Sequence, residues 1–311
     1  MSELEPTERG VLASLGVDIL ETLMLAAAAR LTGSVALRSQ VAAAVGDVAV
    51  QVFLLIGVMS SRRPLDDRHP LGYGRERFFW SLVAAVGIFI GGGGYAIDQA
   101  IGGALHPSPV DQYAVGYVVL GVTIVLDFLA LEVALRPARR EAKRRGIRLW
   151  TLIRNSTDPA ATTVVVGGAS AVVGGVVAMA GLFLSQLTRS ATPDTVGSLL
   201  IGLLLLATSG FLFRTNRELL SGRGVQPSML RAMRGIVSAQ PGVADVTDLF
   251  AVVVGPASLI VNGDVIFDDE LDVPAVEATI RRSAAELRRR WPSIDYVYLT
   301  PVASARVPRG A

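Results

Sequence analysis

The chain has no cysteine and only two histidines, His69 and His106. Thiol catalysis, iron–sulfur clusters, cysteine zinc sites and a disulfide scaffold are therefore excluded. Two histidines leave little room for imidazole-based metal chemistry. Charge is also scarce, at 18% of 311 residues, against about 25% in an ordinary soluble chain. The net charge of +2 is too small to argue for nucleic acid as a partner. Lys143 is the single lysine, and arginine supplies the other side-chain cations. No triad or nucleotide loop is present. The glycine runs at 91–94, 167–168 and 174–175 lack the lysine and hydroxyl that a phosphate loop requires. A membrane enzyme thus has nothing to rest on.

Apolar residues make up 51% of the chain, and they are gathered into spans. Crossing a hydrocarbon layer takes about 20 helical residues, and six stretches qualify: 10–31, 34–58, 79–103, 113–135, 158–184 and 193–213. The first is not expected to be a cleaved signal peptide. Its flank is acidic (Glu3, Glu5, Glu8) and a second span follows at once. Two connectors are strongly basic. One holds Arg62, Arg63, Arg68, Arg75 and Arg77; the other holds Arg136, Arg139, Arg140, Lys143, Arg144, Arg145, Arg148 and Arg154. The opposite connectors are nearly uncharged, so the positive-inside rule places both basic connectors and both termini in the cytoplasm. The expectation is a multi-pass protein of the cell (inner) membrane. Glycine runs within the spans read as smooth surfaces for close helix packing.

From about Ser221 the pattern is that of a soluble domain. Pro227 to Ala239 has Met229, Leu230, Met233, Ile236 and Val237 at helical spacing. Val243 to Val254 and Ser258 to Phe267 read as strands, Val273 to Arg290 as a helix, and Ile294 to Thr300 as a last strand. The fold class is therefore a six-helix α-helical membrane protein with a cytoplasmic α+β (αββαβ, ferredoxin-like) domain. The expected boundaries are 1–220, 221–302 and a tail over 303–311.

This plan resembles that of the cation diffusion facilitator family. Three groups of residues carry the likeness: Leu31-Thr-Gly-Ser-Val-Ala-Leu37 entering span two, the connector from Arg63 through Asp66, Asp67, Arg68, His69 and Pro70 to Arg77, and Ser156-Thr-Asp-Pro159 with Asp194. The last group is similar to the branch containing the mitochondrial-type zinc transporters. The resemblance implies a homodimer that exchanges a divalent cation, zinc or manganese foremost, for protons by alternating access. The cation is cargo, and no resident cofactor is implied.

The family site joins a His/Asp-x-x-x-Asp motif in helix two to an acidic pair in helix five. Ligands four residues apart share a helix face, and protons compete with metal for such groups. In this chain Asp47 is present, but alanine stands at Ala43, and Gly167 and Gly168 occupy the helix-five positions. Other acids could replace the missing donors. Asp18 and Glu21 lie on one face of span one. Glu21 is 12 residues before Gly33 and Asp47 is 14 after it, so a turn there brings them to similar depth. Asp127 in span four can join. An all-oxygen site of Asp18, Glu21, Asp47 and Asp127 suits a harder ion such as Mn²⁺ or Mg²⁺. Alternatively the acids pair with Arg30 or Arg38, accept hydrogen bonds, or stay protonated. Asp66 and His69 match a second, cytoplasmic metal site of some family members, with Tyr73 in place of its third ligand. A structural turn is the other reading. His106 reads as a capping residue, and Asp268, Asp269, Glu270 and Asp272 as acids favoured at a helix start. The missing helix-five acids also allow a non-transporting member that acts as a partner or regulatory subunit.

Overall fold

The structure, a computed structural model, describes residues 6–303 apart from 108, 109, 155, 157 and 257. The tail from residue 304, the acidic flank at Glu3 and Glu5, and Thr157 of the Ser156–Pro159 string lie outside those. Contacts divide the chain into two units: one runs to Arg63 and resumes over Glu76–Arg217, and the other combines Pro64–Arg75 with the chain from Glu218.

The first unit is helical because an apolar segment in lipid must satisfy its own backbone. Its elements are α1 (Pro6–Thr32), α2 (Val35–Ser61), α3 (Glu76–Gly87), a π-helical stretch (Ile88–Gly94), α4 (Tyr95–Leu105), α5 (Tyr113–Arg145), α6 (Leu149–Arg154), α7 (Pro159–Thr188) and α8 (Thr192–Leu220). Among the described residues, Val35–Ser61, Glu76–Leu105, Tyr113–Arg144, Ala161–Thr188 and Thr192–Leu220 are long and apolar enough to cross a bilayer. α1, at 27 residues, is the sixth long helix and packs against α2 and α5.

Three details differ from a simple reading of spans. The third span is one helix interrupted by a π segment at Ile88–Gly94. Four glycines there have no side chains to defend α geometry. α5 runs on through its basic residues to Arg145, with Pro137 inside it. The glycine surfaces divide as well. Built Cβ atoms on Gly92, Gly93, Gly168, Gly174 and Gly175 would touch neighbouring helices, but those on Gly91 and Gly167 would meet nothing within 4 Å.

In the second unit, α9 (Pro227–Ser238), β1 (Val243–Gly255), β2 (Ser258–Phe267), α10 (Val273–Arg290) and β3 (Ile294–Pro301) follow the expected αββαβ order. The sheet order is β1-β2-β3, antiparallel then parallel. β2 alternates strictly, with Leu259, Val261, Gly263 and Val265 buried. That is the signature of one covered face. α9 covers β1, and α10 packs on β3 and α9. Asp272 caps α10 by accepting from the Ala275 N–H at 2.9 Å, which accounts for one member of the acidic cluster. The connector Pro64–Arg75 joins this unit through Gly74. A Cβ there would lie 3.0 Å from the Gly255 Cα and 3.1 Å from the Val254 oxygen.

Candidate functional site

α1 and α2 form an antiparallel hairpin that turns at Gly33, whose φ of +70° favours glycine. Packed this way, α1 brings Asp18 and Glu21 toward Asp47 of α2, and Asp127 arrives on α5. The Asp47 carboxyl lies within electrostatic reach of Asp127, Asp18 and Glu21. Glu21 senses Asp127 and Asp18 in turn, and Asp127 senses Asp18. Glu21 is buried, while the other three are half-buried. The four acids named from sequence are thus one electrostatic group drawn from three helices.

A fifth polar side chain belongs with them. The Gln51 amide nitrogen donates to Asp18 Oδ2. Gln51 stands one turn beyond Asp47, so the spacing that singled out Asp47 could have identified it. Among the described residues no salt bridge joins these acids to a basic side chain. Arg38 instead donates to the Gly33 carbonyl at 3.0 Å and approaches Gln99 at 3.5 Å. Arg30 is exposed. In this conformation no three His, Asp or Glu side chains among the described residues converge tightly enough to enclose an ion.

The α2–α7 register explains what the helix-five glycines do. Cβ atoms on Gly174 and Gly175 would sit 3.1 and 3.5 Å from the Gln40 amide. α2 and α7 run in opposite directions. Asp47, seven residues beyond Gln40, is therefore level with Gly167, seven before Gly174. Gly168 faces Leu131 of α5, where its Cβ would lie 3.6 Å away. The position facing Asp47 across the bundle carries no donor, and the space beside it is open.

Asp66 and His69 sit on the Pro64–Arg75 connector. Asp66 Oδ1 accepts from the backbone N–H groups of Arg68 and His69, at 3.0 and 2.6 Å. It also lies 3.1 Å from His69 Nδ1, while the Tyr73 hydroxyl donates to Oδ2 at 2.6 Å. The His69 and Tyr73 rings stack with centroids 4.1 Å apart. The Tyr73 hydroxyl, followed by the His69 backbone and ring, holds the Asp66 carboxyl below the usual carboxylate range. These contacts brace a turn.

His106 ends α4, its N–H bonded to the Gly102 carbonyl at 2.9 Å. Asp194, fully buried, opens α8 yet serves α2. It accepts from Ser34 Oγ at 2.6 Å, Val35 N at 2.5 Å and Ala36 N at 3.2 Å. It is a cap supplied from another helix, and no local pattern announces a partner so distant in the chain.

The residues 11–221 match a family described as the cation efflux transmembrane domain. The proton-coupled zinc antiporter SLC30A9, mitochondrial, of Xenopus laevis is 32% identical over 237 residues, which cover 76% of this chain and 42% of that protein. Metal tolerance protein C4 of Arabidopsis thaliana is 30% identical over 248 residues, covering 80% of this chain and 54% of that protein. The chain thus spans about half the length of the curated relatives it matches. A solved nickel form of the MamM C-terminal domain is 19% identical and covers 25% of this chain and 98% of that one, with a TM-score of 0.24.

Proposed function

The chain belongs to the cation efflux family, and from that premise we propose that it carries a divalent cation across a membrane in exchange for protons, as a homodimer alternating access between the two faces. One observation carries this reading: Asp18, Glu21, Asp47 and Asp127 gather from three helices within electrostatic reach of one another. Intramembrane acids are costly, and they mark ion or proton pathways. A divalent cation entering the group relieves the mutual repulsion and draws the carboxylates inward. Protons relieve the same repulsion when the cation leaves, so the two compete for one set of oxygens.

The donor set favours the ion class. All four candidate ligands are carboxylates, and Gln51, which donates to Asp18, is an amide, so oxygen is the donor type they offer. That suits Mn²⁺ better than Zn²⁺. Asp47 is the residue placed to touch the ion first, with Asp18 and Glu21 closing from α1. Orientation follows the arginine-rich connectors, which stay on the cytoplasmic side.

The test is flux into proteoliposomes under a proton gradient, with Mn²⁺, Zn²⁺, Fe²⁺ and Mg²⁺ offered separately. Asp47→Ala is expected to abolish uptake, and Asp18→Ala with Glu21→Ala to reduce it at least tenfold. Uptake that survives the double substitution would remove α1 from the site. A second reading is favoured by the donor-free position at Gly167: a member that has lost transport and serves as a partner subunit. No flux of any ion through the wild-type protein would support it.

A further inference from the structure

Among the described residues, three side-chain oxygens are buried without a hydrogen-bond partner: Ser81 Oγ, Thr163 Oγ1 and Asn216 Oδ1. Their residues are 1%, 3% and 1% exposed. The neighbouring Thr162 shows the usual alternative, with its hydroxyl turned back to the Asp158 carbonyl at 3.1 Å. Leaving a buried polar group unpaired forfeits its hydration without return. Each orphan therefore calls for a physical account.

Hydrogen bonds between the helices bring the three to one level. Ser170 Oγ of α7 lies 2.5 Å from Thr208 Oγ1 of α8. These two helices form an antiparallel hairpin, so Thr163, seven residues before Ser170, is level with Thr215, seven after Thr208, and with its neighbour Asn216. Ser209 Oγ donates to the Ala85 carbonyl of α3 at 2.6 Å. Ser81 is one turn before Ala85, and Asn216 two turns beyond Ser209. α3 also touches α7 directly. The orphans thus line one seam between α3, α7 and α8, at the end of the bundle where the arginine-rich connectors attach. The same face of α7 continues from Thr163 to Gly167, one turn on, where a Cβ would meet nothing and where Asp47 stands opposite.

We propose that ordered water fills this seam and continues past Gly167 to Asp47, forming a proton path from the basic-connector end of the bundle to the carboxylates. The chemistry of the lining favours water over a resident cation. Two hydroxyls both donate and accept, and the Asn216 oxygen only accepts. Water satisfies all three, whereas a cation in this low dielectric needs an anionic neighbour and finds none among the three. A proton leaving Asp47 is taken by the first water while the last water passes one to bulk water at the mouth. One O–H bond thus breaks at Asp47, one forms in bulk water, and the relay waters are unchanged. The proton role rests on the exchange reading above.

Two measurements test the proposal. The chain contains no cysteine, so Ser81→Cys and Thr163→Cys can each be read alone. A thiolate, which forms only beside water, attacks methyl methanethiosulfonate, giving a methyl disulfide and releasing methanesulfinate. Both positions are expected to react at least tenfold faster than Val173→Cys, on the outward face of α7 where Val173 is 49% exposed. Reaction no faster than at that control overturns the hydrated seam. In proteoliposomes with a trapped pH dye, Gly167→Leu is expected to slow cation-driven proton release at least tenfold while calorimetric Mn²⁺ binding in detergent persists. The near-isosteric Thr163→Val should slow release in the same direction. Proton release at the wild-type rate in both variants overturns the path. Fast thiol reaction in the two cysteine variants, with no cation moved by the wild-type protein, would overturn the exchange reading, and the proton role with it, while supporting the water-filled seam.

Discussion

Replacing Asp194 by alanine removes a carboxylate that ties α8 to the first turn of α2. Three donors lose their acceptor: the Ser34 hydroxyl and the N–H groups of Val35 and Ala36. All three residues are buried. The hydroxyl can rotate toward another oxygen, but the two amides cannot, because helix geometry fixes them. Each stranded buried donor costs roughly 1–3 kcal/mol. Part of that is offset because the carboxylate's own desolvation is also relieved. The expected loss is therefore about 2–4 kcal/mol. For a helical unit of this size it corresponds to a fall of roughly 5–15 °C in Tm, read by thermal unfolding in detergent micelles. Asp194→Asn keeps the shape and one acceptor oxygen, so its loss should be about half as large. Ser198→Ala breaks only the Ser39 contact at 2.5 Å and the bond to the Ala96 carbonyl, and should cost about 1 kcal/mol. A Tm within about 2 °C of wild type for Asp194→Ala would refute the reasoning, because it would mean that water or other groups satisfy the α2 amides without the carboxylate.

Tyr73→Phe removes the main hydrogen bond to Asp66, so the Asp66 carboxyl should titrate at higher pH, nearer the ordinary carboxylate range; carbon-detected NMR of labelled aspartate checks this. With the folded value depressed, the turn's contribution is present above the ordinary carboxylate range and is lost as pH falls through the lowered value; the variant should lose it at higher pH, and an unchanged titration would count against the brace. Gly74→Val places a side chain where a Cβ already meets the Gly255 backbone at 3.0 Å, and should release the Pro64–Arg75 connector to limited proteolysis; cleavage at the wild-type rate would contradict it. Gly93→Ala puts a methyl 2.6 Å from Leu206 Cδ2 and 3.3 Å from its backbone nitrogen, with an expected cost of about 1–3 kcal/mol in the same micellar unfolding assay.

Much of the fold was legible because each clue is local. β2 and α10 end at the residues that alternation and helical spacing indicated, since a strand face and a helix stripe are written in the spacing of apolar residues. The π stretch at Ile88–Gly94 was not legible. Four successive glycines signal weak helix preference, but they do not say which hydrogen-bond pattern replaces α. The candidate site divides the same way. Asp18, Glu21, Asp47 and Asp127 stand out as acids in apolar runs. Gln51 does not, and Asp194 is marked only by the family likeness and not for its role, because their importance lies in partners 33 and 160 positions away in the chain. Thr163 reads as an ordinary helical threonine until its face of α7 is known.

The scarcity of charge and the gathering of apolar residues into long runs settled by themselves that this chain builds membrane-length helices followed by a small sheet. A backbone without water satisfies its polar groups only in a helix or a closed barrel, and apolar runs of about 20 residues are helix length, so the helical conclusion needs no tertiary information. Only the packed structure decided which helix faces meet. It set Gly167 level with Asp47, brought Asp194 to the start of α2, and left Ser81, Thr163 and Asn216 together in one seam. Helix register depends on how side chains from distant segments fit, and glycines permit close approach without specifying it. For that reason the sequence names the acids, while the tertiary structure decides what stands opposite them.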